Sequence, residues 1–247
     1  SGSDQFTAGK ACFIYVYASG LPVTVDVSGP PRTGNISFTD GTYTSSTPPN
    51  SEWDGWNIVS NPYPSQVNWD ADAGWTRTNV SGSMYVWDNA ILDYRGWQAS
   101  TPGTGIAING GSNIIASSQA FWIQTTGTPT FSCTEVVKSS SSPTFYKMSG
   151  NTGLLTFRVT DMSNTDYFDE TVLRFMPGMS SGYDPDFDSH RLHSETSLIP
   201  NLSSLSADLY MAINTLPEIN GNTDIPIAVR VNKTGNYVLR VKNLENV

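Results

Sequence analysis

Three groups of residues in this chain have the types and spacing for chemistry. The first is Asp184-Pro185-Asp186-Phe187-Asp188, with Glu195 beyond it. Asp184, Asp186 and Asp188 stand at positions 1, 3 and 5 of a calcium loop and Glu195 at position 12, a spacing of hard oxygen donors that suits Ca²⁺. Ser189 stands where the sharp-turn glycine belongs and Leu192 where a ligand belongs. The competing reading has Asp184 and Asp188 capping turns and pairing with Arg191 or Arg174. His190 and His193 have the spacing of a short helical pair and are weaker candidates for a transition metal.

The second group is aromatic. Trp53, Trp75 and Trp97 sit among polar residues and are the candidates for exposed rings that stack on sugar faces. The competing reading is a core and its rim, because aromatic residues dominate β-cores. The third group, Gly178-Met179-Ser180-Ser181-Gly182, has the letters of a nucleophile elbow. That chemistry needs a strand, a strained turn, a helix and a later His. Asp184-Pro185 follows at once, so the match reads as a chance loop. The six glutamates offer no carboxylate pair recognisable from spacing. The chain therefore reads as non-enzymatic.

The elements that must position these residues are strands. Short apolar or alternating runs rich in Val, Ile, Tyr, Phe and Thr recur between Gly, Pro, Asn and Ser. They predict strands at 12–17, 23–27, 34–38, 55–59, 84–87, 94–98, 120–125, 130–133, 144–148, 154–160, 171–175, 209–214, 225–231 and 237–241. A hairpin is expected around 89–93. Helical turns are expected only near 186–193 and 201–208. The fold class is all-β, with two β-sandwich, jelly-roll-like domains. The first spans 1–138 and the second 143–247, joined by a Ser-rich linker at 139–142. Within the first, 11–25 and 120–131 each read as strand, Gly-x-Pro turn and strand, a weak internal repeat.

Composition narrows the function classes. Charged residues make up 14% of 247, and the net charge is −9. Such a chain repels phosphate backbones and anionic bilayers, so neither nucleic acid nor membrane insertion is expected. Cys12 and Cys133 form the one candidate disulfide, against the alternative of two small buried apolar residues. The polar start, Ser1-Gly2-Ser3-Asp4, reads as an appended lead-in, and the chain as a piece of a longer protein.

Gly55-Trp56-Asn57-Ile58-Val59 followed by Asn61-Pro62-Tyr63-Pro64-Ser65 pairs a buried strand with a rigid Pro-aromatic-Pro turn. This run resembles the "GWNLVGNPYPS" signature of type IX secretion passengers of Bacteroidota. Val67-Asn68-Trp69 resembles the family's "IDW", Tyr85-Val86-Trp87-Asp88 its "YVWD", and the segment 115–123 its "IAPGQAFFV". Similar matches continue at 183–192, 212–217 and 234–239. Ser60 for Gly and Ser117-Ser118 for Pro-Gly depart from the pattern. The resemblance implies an extracellular region that normally precedes a C-terminal sorting domain. It implies adhesion or assembly at the cell surface, with other modules of the same protein, glycans or a host or prey cell as partners. The alternative is a carbohydrate-binding module of a secreted polysaccharide-degrading enzyme. The resemblance implies no cofactor, and calcium at the 184–195 loop is expected only from the spacing of its carboxylates.

Overall fold

A computed structural model of the chain describes residues 7–12, 14, 28–45, 53–99, 105–140, 153–194 and 196–245. The described elements are all β apart from one 3-10 turn, Glu135–Val137. In chain order the strands are β1 Ile36–Ser37, β2 Trp56–Ser60, β3 Gln66–Asn68, β4 Trp75–Asp88, β5 Asp93–Gln98, β6 Ile106–Ile108, β7 Ile114–Ile115, β8 Ala120–Cys133 and β9 Lys138–Ser139. They continue with β10 Gly153–Asp161, β11 Phe168–Phe175, β12 Ser189–His190, β13 Asn201–Ser206, β14 Leu209–Leu216, β15 Ile227–Arg230 and β16 Tyr237–Glu245.

Three sheets form. The order β1-β8-β4-β5-β6, with β2 also on β8, makes a six-stranded sheet; β7-β3-β9 make a small one beside it. A seven-stranded sheet follows the order β15-β13-β14-β11-β10-β16, with β12 on β14. No described sheet crosses from the first half to the second. Ser139, expected to open the linker, instead pairs with Gln66.

The seven-stranded sheet cannot lie flat. Its edge strands β15 and β16 are joined by only six residues, 231–236, which include bends. Five strand spacings of about 4.8 Å would separate the edges by roughly 24 Å. A six-residue link reaches that only when fully extended. The sheet therefore curls its edges toward each other.

The expected turn at Gly127-Thr128-Pro129 is absent. β8 runs 14 residues straight through it, which removes the proposed repeat. Proline in a central strand lacks a donor for the ladder. Here the opposing strand bulges between Thr78 and Val80, and Asn79 adopts φ 55°. The Asn79 side-chain amide donates to the Thr128 carbonyl at 2.8 Å. A side chain thus replaces the ladder contact beside Pro129.

Both expected helical turns are also corrected. Segment 201–208 is strand β13 and its hairpin turn, with Ala207 at φ 52°. At 184–188 one turn closes, with the Asp188 N–H donating to the Asp184 carbonyl at 2.7 Å, and the chain then extends into β12. The hairpin around 89–93 forms as expected, with Asp88 opposite Asp93. The expected strands at 23–27 and 144–148, and most of 12–17, lie outside the described residues.

Two cores result. One packs Trp69, Phe121, Phe131, Val59 and Tyr63 inside the first half, with Trp75 against them. The other joins Tyr85, Tyr94, Ile106 and Ile108 to Leu154, Val172, Leu192 and Ile213 across the two halves. Burying one such aliphatic side chain is worth about 1.5–3 kcal/mol, so this shared core couples the halves firmly.

Candidate functional site

The Gly-Trp-Asn and Asn-Pro-Tyr-Pro residues are structural throughout. Gly55 has φ +75°, and a Cβ there would lie 2.0 Å from the Thr125 carbonyl oxygen, so β2 enters the sheet only with glycine at that point. The Asn57 amide donates to the Thr42 and Gly55 carbonyls, each at 2.8 Å. Asn61 donates to the Ser65 and Ala116 carbonyls, and its Oδ1 accepts the Tyr63 N–H at 3.0 Å. Tyr63 is buried, and its hydroxyl donates to the Gly34 carbonyl at 2.7 Å. Burial pushes that phenol well above its usual range. Trp69 is wholly buried, with Nε1 donating to the Gly82 carbonyl at 2.7 Å.

The three candidate sugar-stacking tryptophans separate. Trp53 is 58% exposed, its ring 6.2 Å from that of His193. Trp75 is half-buried: its ring stacks on Phe131 at 5.6 Å, and Nε1 donates to the Asn68 carbonyl. Trp97 is 4% exposed and belongs to the first core. Trp97 is therefore corrected from candidate surface to core, and the three do not form a platform. Cys12 and Cys133 are both free, the first exposed and the second buried. Burial raises the Cys133 thiol to about 11. The candidate bridge is absent: Cys133 faces the core, its Sγ 3.7 Å from the Tyr63 hydroxyl, while Cys12 is exposed.

The 184–188 loop turns its carboxylates on its own chain. Asp184 Oδ1 accepts the Asp186 N–H; Asp188 accepts the Asp184 N–H at 2.7 Å and the Thr215 N–H at 2.6 Å. Burial raises the Asp188 carboxyl to about 6. These are the bonds that the turn-capping alternative describes, and neither Asp184 nor Asp188 pairs with Arg191. Asp186 is exposed, and Glu195 lies outside the described residues. Among the described residues no group of three or more His, Cys, Asp or Glu is placed to hold a metal. His190 stacks on Tyr183 with ring centroids 4.1 Å apart, and burial lowers it to about 4. His193 Nδ1 lies 3.0 Å from Asn201 Oδ1. In the 178–182 loop the Ser180 hydroxyl accepts the Gly182 N–H, with no helix behind it.

The loop's carbonyls do have a role: they tie the halves together. Pro185 O accepts the Gly82 N–H at 3.1 Å, and Asp186 O accepts Gln98 Nε2 at 3.0 Å. The Tyr85 hydroxyl donates to the His190 carbonyl at 2.8 Å and lies 2.6 Å from Ser189 Oγ. Burial pushes the Tyr85 phenol up to about 12. Tyr85 lies over its cross-strand partner Gly96, where a Cβ would meet the ring at 2.6 Å.

Deeper in the junction is a buried charge cluster that no motif announced. Asp93, Asn109, Asp169 and Arg191 are each at most 2% exposed. Arg191 Nη1 lies 2.9 Å from Asp169 Oδ1, and Nη2 donates to the Glu170 and Leu202 carbonyls. Asn109 Nδ2 faces Asp93 Oδ2 at 3.1 Å from one half and Asp169 Oδ1 at 3.0 Å from the other. Asp169 thus meets the guanidinium directly, and Asp93 joins the cluster through Asn109. Burial, then the charge of Asp169, holds the Asp93 carboxyl well above the usual range. Burial raises Asp169 too, opposed by Arg191. The one sequence signal is the adjacent acids Asp169-Glu170 near the start of β11.

Glu170 points the opposite way from Asp169, into a cleft of about 360 Å³ between the halves lined by Ile106, Leu154, Thr156, Val172 and Lys242. Its carboxylate takes Arg158 Nη2 at 2.5 Å and Lys242 Nζ at 2.6 Å. Beyond this cleft β16 forms an exposed edge of the sheet.

No described helix is long and apolar enough to cross a membrane. No curated protein and no solved structure matches the chain. The model of one family, described as a domain of unknown function (DUF8693), matches residues 1–247. That match takes in both sheet systems and the junction between them, and the chain belongs to the DUF8693 family.

Proposed function

We propose that this chain is a non-catalytic extracellular region of a type IX secreted cell-surface protein, acting in adhesion or in assembly of a large surface structure. The observation that carries the reading is the junction. A shared apolar core, the carbonyls of the 184–190 segment and the Asp93–Asn109–Asp169 cluster fix the two halves relative to each other. A module that links binding surfaces needs that fixed geometry between its ends. The buried ionisable groups of the junction face one another and the backbone, which suits a structural role. The signature residues support the type IX resemblance by having a physical reason to be what they are. Other modules of the same surface protein are its expected partners.

A second reading, a carbohydrate-binding module, draws its support from Trp53, whose ring is exposed beside His193. One panel tests both: the labelled chain against isolated cell-surface material and a glycan array, with and without calcium. Retention on surface material without saturable glycan binding is expected. Saturable glycan binding lost in Trp53→Ala would replace the assembly reading with the second. Turnover of any glycan, lost on changing one carboxylate, would overturn both.

A further inference from the structure

β16 ends the order of the seven-stranded sheet, and its one neighbour among the described strands is β10. An unpaired edge offers a row of N–H and C=O groups to an incoming strand. Proteins usually blunt such edges, but this one is apolar on one face. Leu239 is 47% exposed, Val241 54% and Leu244 61%. They stand opposite Val159, Phe157 and Leu155, so they carry the apolar rows of β10 out to the edge.

The other face carries unbalanced positive charge. Arg240 is directly opposite Arg158, a like-charge pair that costs stability in an antiparallel ladder. Glu170 already serves both Arg158 and Lys242. Arg240 has no ion pair with a described residue. Within β16 the cations are Arg240 and Lys242, and its one carboxylate, Glu245, stands at the far end of the strand; Lys233, just before it, is already paired with Asp161 at 3.7 Å. An anion beside Arg240 would complete this row.

We infer that β16 is a docking edge for an extended segment of a partner protein, added as one more strand. Carboxylates at alternate positions of that segment meet Arg240 and Lys242; apolar residues between them meet Leu239, Val241 and Leu244. The alternation of β16 itself sets this requirement. An anionic polysaccharide would supply charge without the apolar row. A second copy pairing through 237–242 would set a strand without carboxylates against itself. The inference deepens the assembly reading and rests on it for where the partner segment resides.

The test uses a labelled peptide of about eight residues alternating Val and Glu. Controls are a Val/Lys peptide, a Val/Glu peptide with the residues in blocks, and polygalacturonate. The alternating Val/Glu peptide should bind, more weakly as salt rises. Arg240→Glu should weaken it roughly tenfold and admit the Val/Lys peptide. The unfolding midpoint of that variant should not fall, because the substitution places a carboxylate opposite Arg158. Leu239→Asn should weaken the peptide as well. No peptide binding, equal binding by Arg240→Glu, equal binding of the blocked peptide, preference for polygalacturonate, or a dimer in solution would each overturn the inference. Retention on surface material without peptide binding removes the docking edge and leaves the assembly reading. Peptide binding without such retention does the reverse.

Discussion

Removing the Arg191 guanidinium should destabilise the whole molecule, and by an amount that depends on pH. Arg191 is 1% exposed, is paired with the buried Asp169, and its charge also opposes the rise of the buried Asp93 carboxyl. Its Nη1 lies 2.9 Å from Asp169, and Nη2 holds the Glu170 and Leu202 carbonyls, tying β11 to β13. Arg191→Met keeps most of the side-chain volume and leaves Asp169 buried without a counter-ion. Stripping one partner from a buried pair costs about 3–5 kcal/mol. For a chain of this size that lowers the melting midpoint by roughly 6–20 °C.

The sign of the pH dependence follows from burial. Asp169 already titrates above the usual range in the folded chain, and losing Arg191 raises it further. A carboxyl whose folded value lies above its unfolded value has its stability contribution in full below the unfolded value and loses it as pH rises through the folded one. The variant should therefore lose more stability at pH 8 than at pH 4.5. Asp169→Asn combined with Arg191→Met should lose less at pH 8 than Arg191→Met alone. Urea titrations followed by circular dichroism at both pH values measure this. A loss below about 1 kcal/mol at pH 8, or the same loss at both pH values, would refute the argument that charge balance holds the junction.

Gly55→Ala should cost about 3 kcal/mol, from left-handed strain and loss of the Thr125–Gly55 backbone bond. Gly221→Ala, also at positive φ but with nothing within 4 Å, should cost about 1 kcal/mol, and equal losses would sink the crowding argument. Trp97→Ala should cost about 3–5 kcal/mol. Trp53→Ala should stay within about 0.5 kcal/mol, and a reversed order in thermal melts would show the burial assignment to be wrong. His190 falls from 6.5 to about 4 on burial, so its contribution is present above pH 6.5 and lost as pH falls toward 4. Asp188 rises from 3.8 to about 6, so its contribution is present below pH 3.8 and lost as pH rises toward 6, opposing His190. His190→Phe should thus gain about 2 kcal/mol on the wild type between pH 7 and pH 4.5, and no relative gain in urea titrations would contradict the burial of that ring.

Strands with one apolar face were legible in the sequence: β2, β5, β10, β11, β14 and β16 all fall on expected runs. β13 was not, because Leu202, Ser203 and Ser204 are all buried and Ser alternates with nothing. Its serines and leucines carry no period, and the short polar run looked like a cap. Trp97 looked exposed because Arg95 and Gln98 flank it. Gln98 is itself fully buried, its amide donating to the Ala99 and Asp186 carbonyls. A polar neighbour marks a surface only where no distant carbonyl takes its hydrogens. The Asp93–Asp169–Arg191 cluster was invisible for the same reason, since its members meet only across the junction.

The residues that make the sequence recognisable are those least able to meet a ligand. Asn57 and Asn61 have their amides bonded to carbonyls of this chain, and Tyr63 and Trp69 are buried with their polar atoms paired. None can turn outward without leaving a backbone group unpaired inside the protein, a cost of about 1–3 kcal/mol each. A resemblance carried by such residues reports how the chain folds and is silent on what it holds. Partner choice has to be written where the fold imposes no bond. On β16 the register dictates only that neighbours alternate between faces, yet one face is apolar and the other gathers cations in an acidic chain. That arrangement opposes local stability, since Arg240 faces Arg158, and it opposes solubility, since Leu239 and Val241 face water. An edge that costs the isolated chain on both counts makes physical sense once a complementary strand covers it.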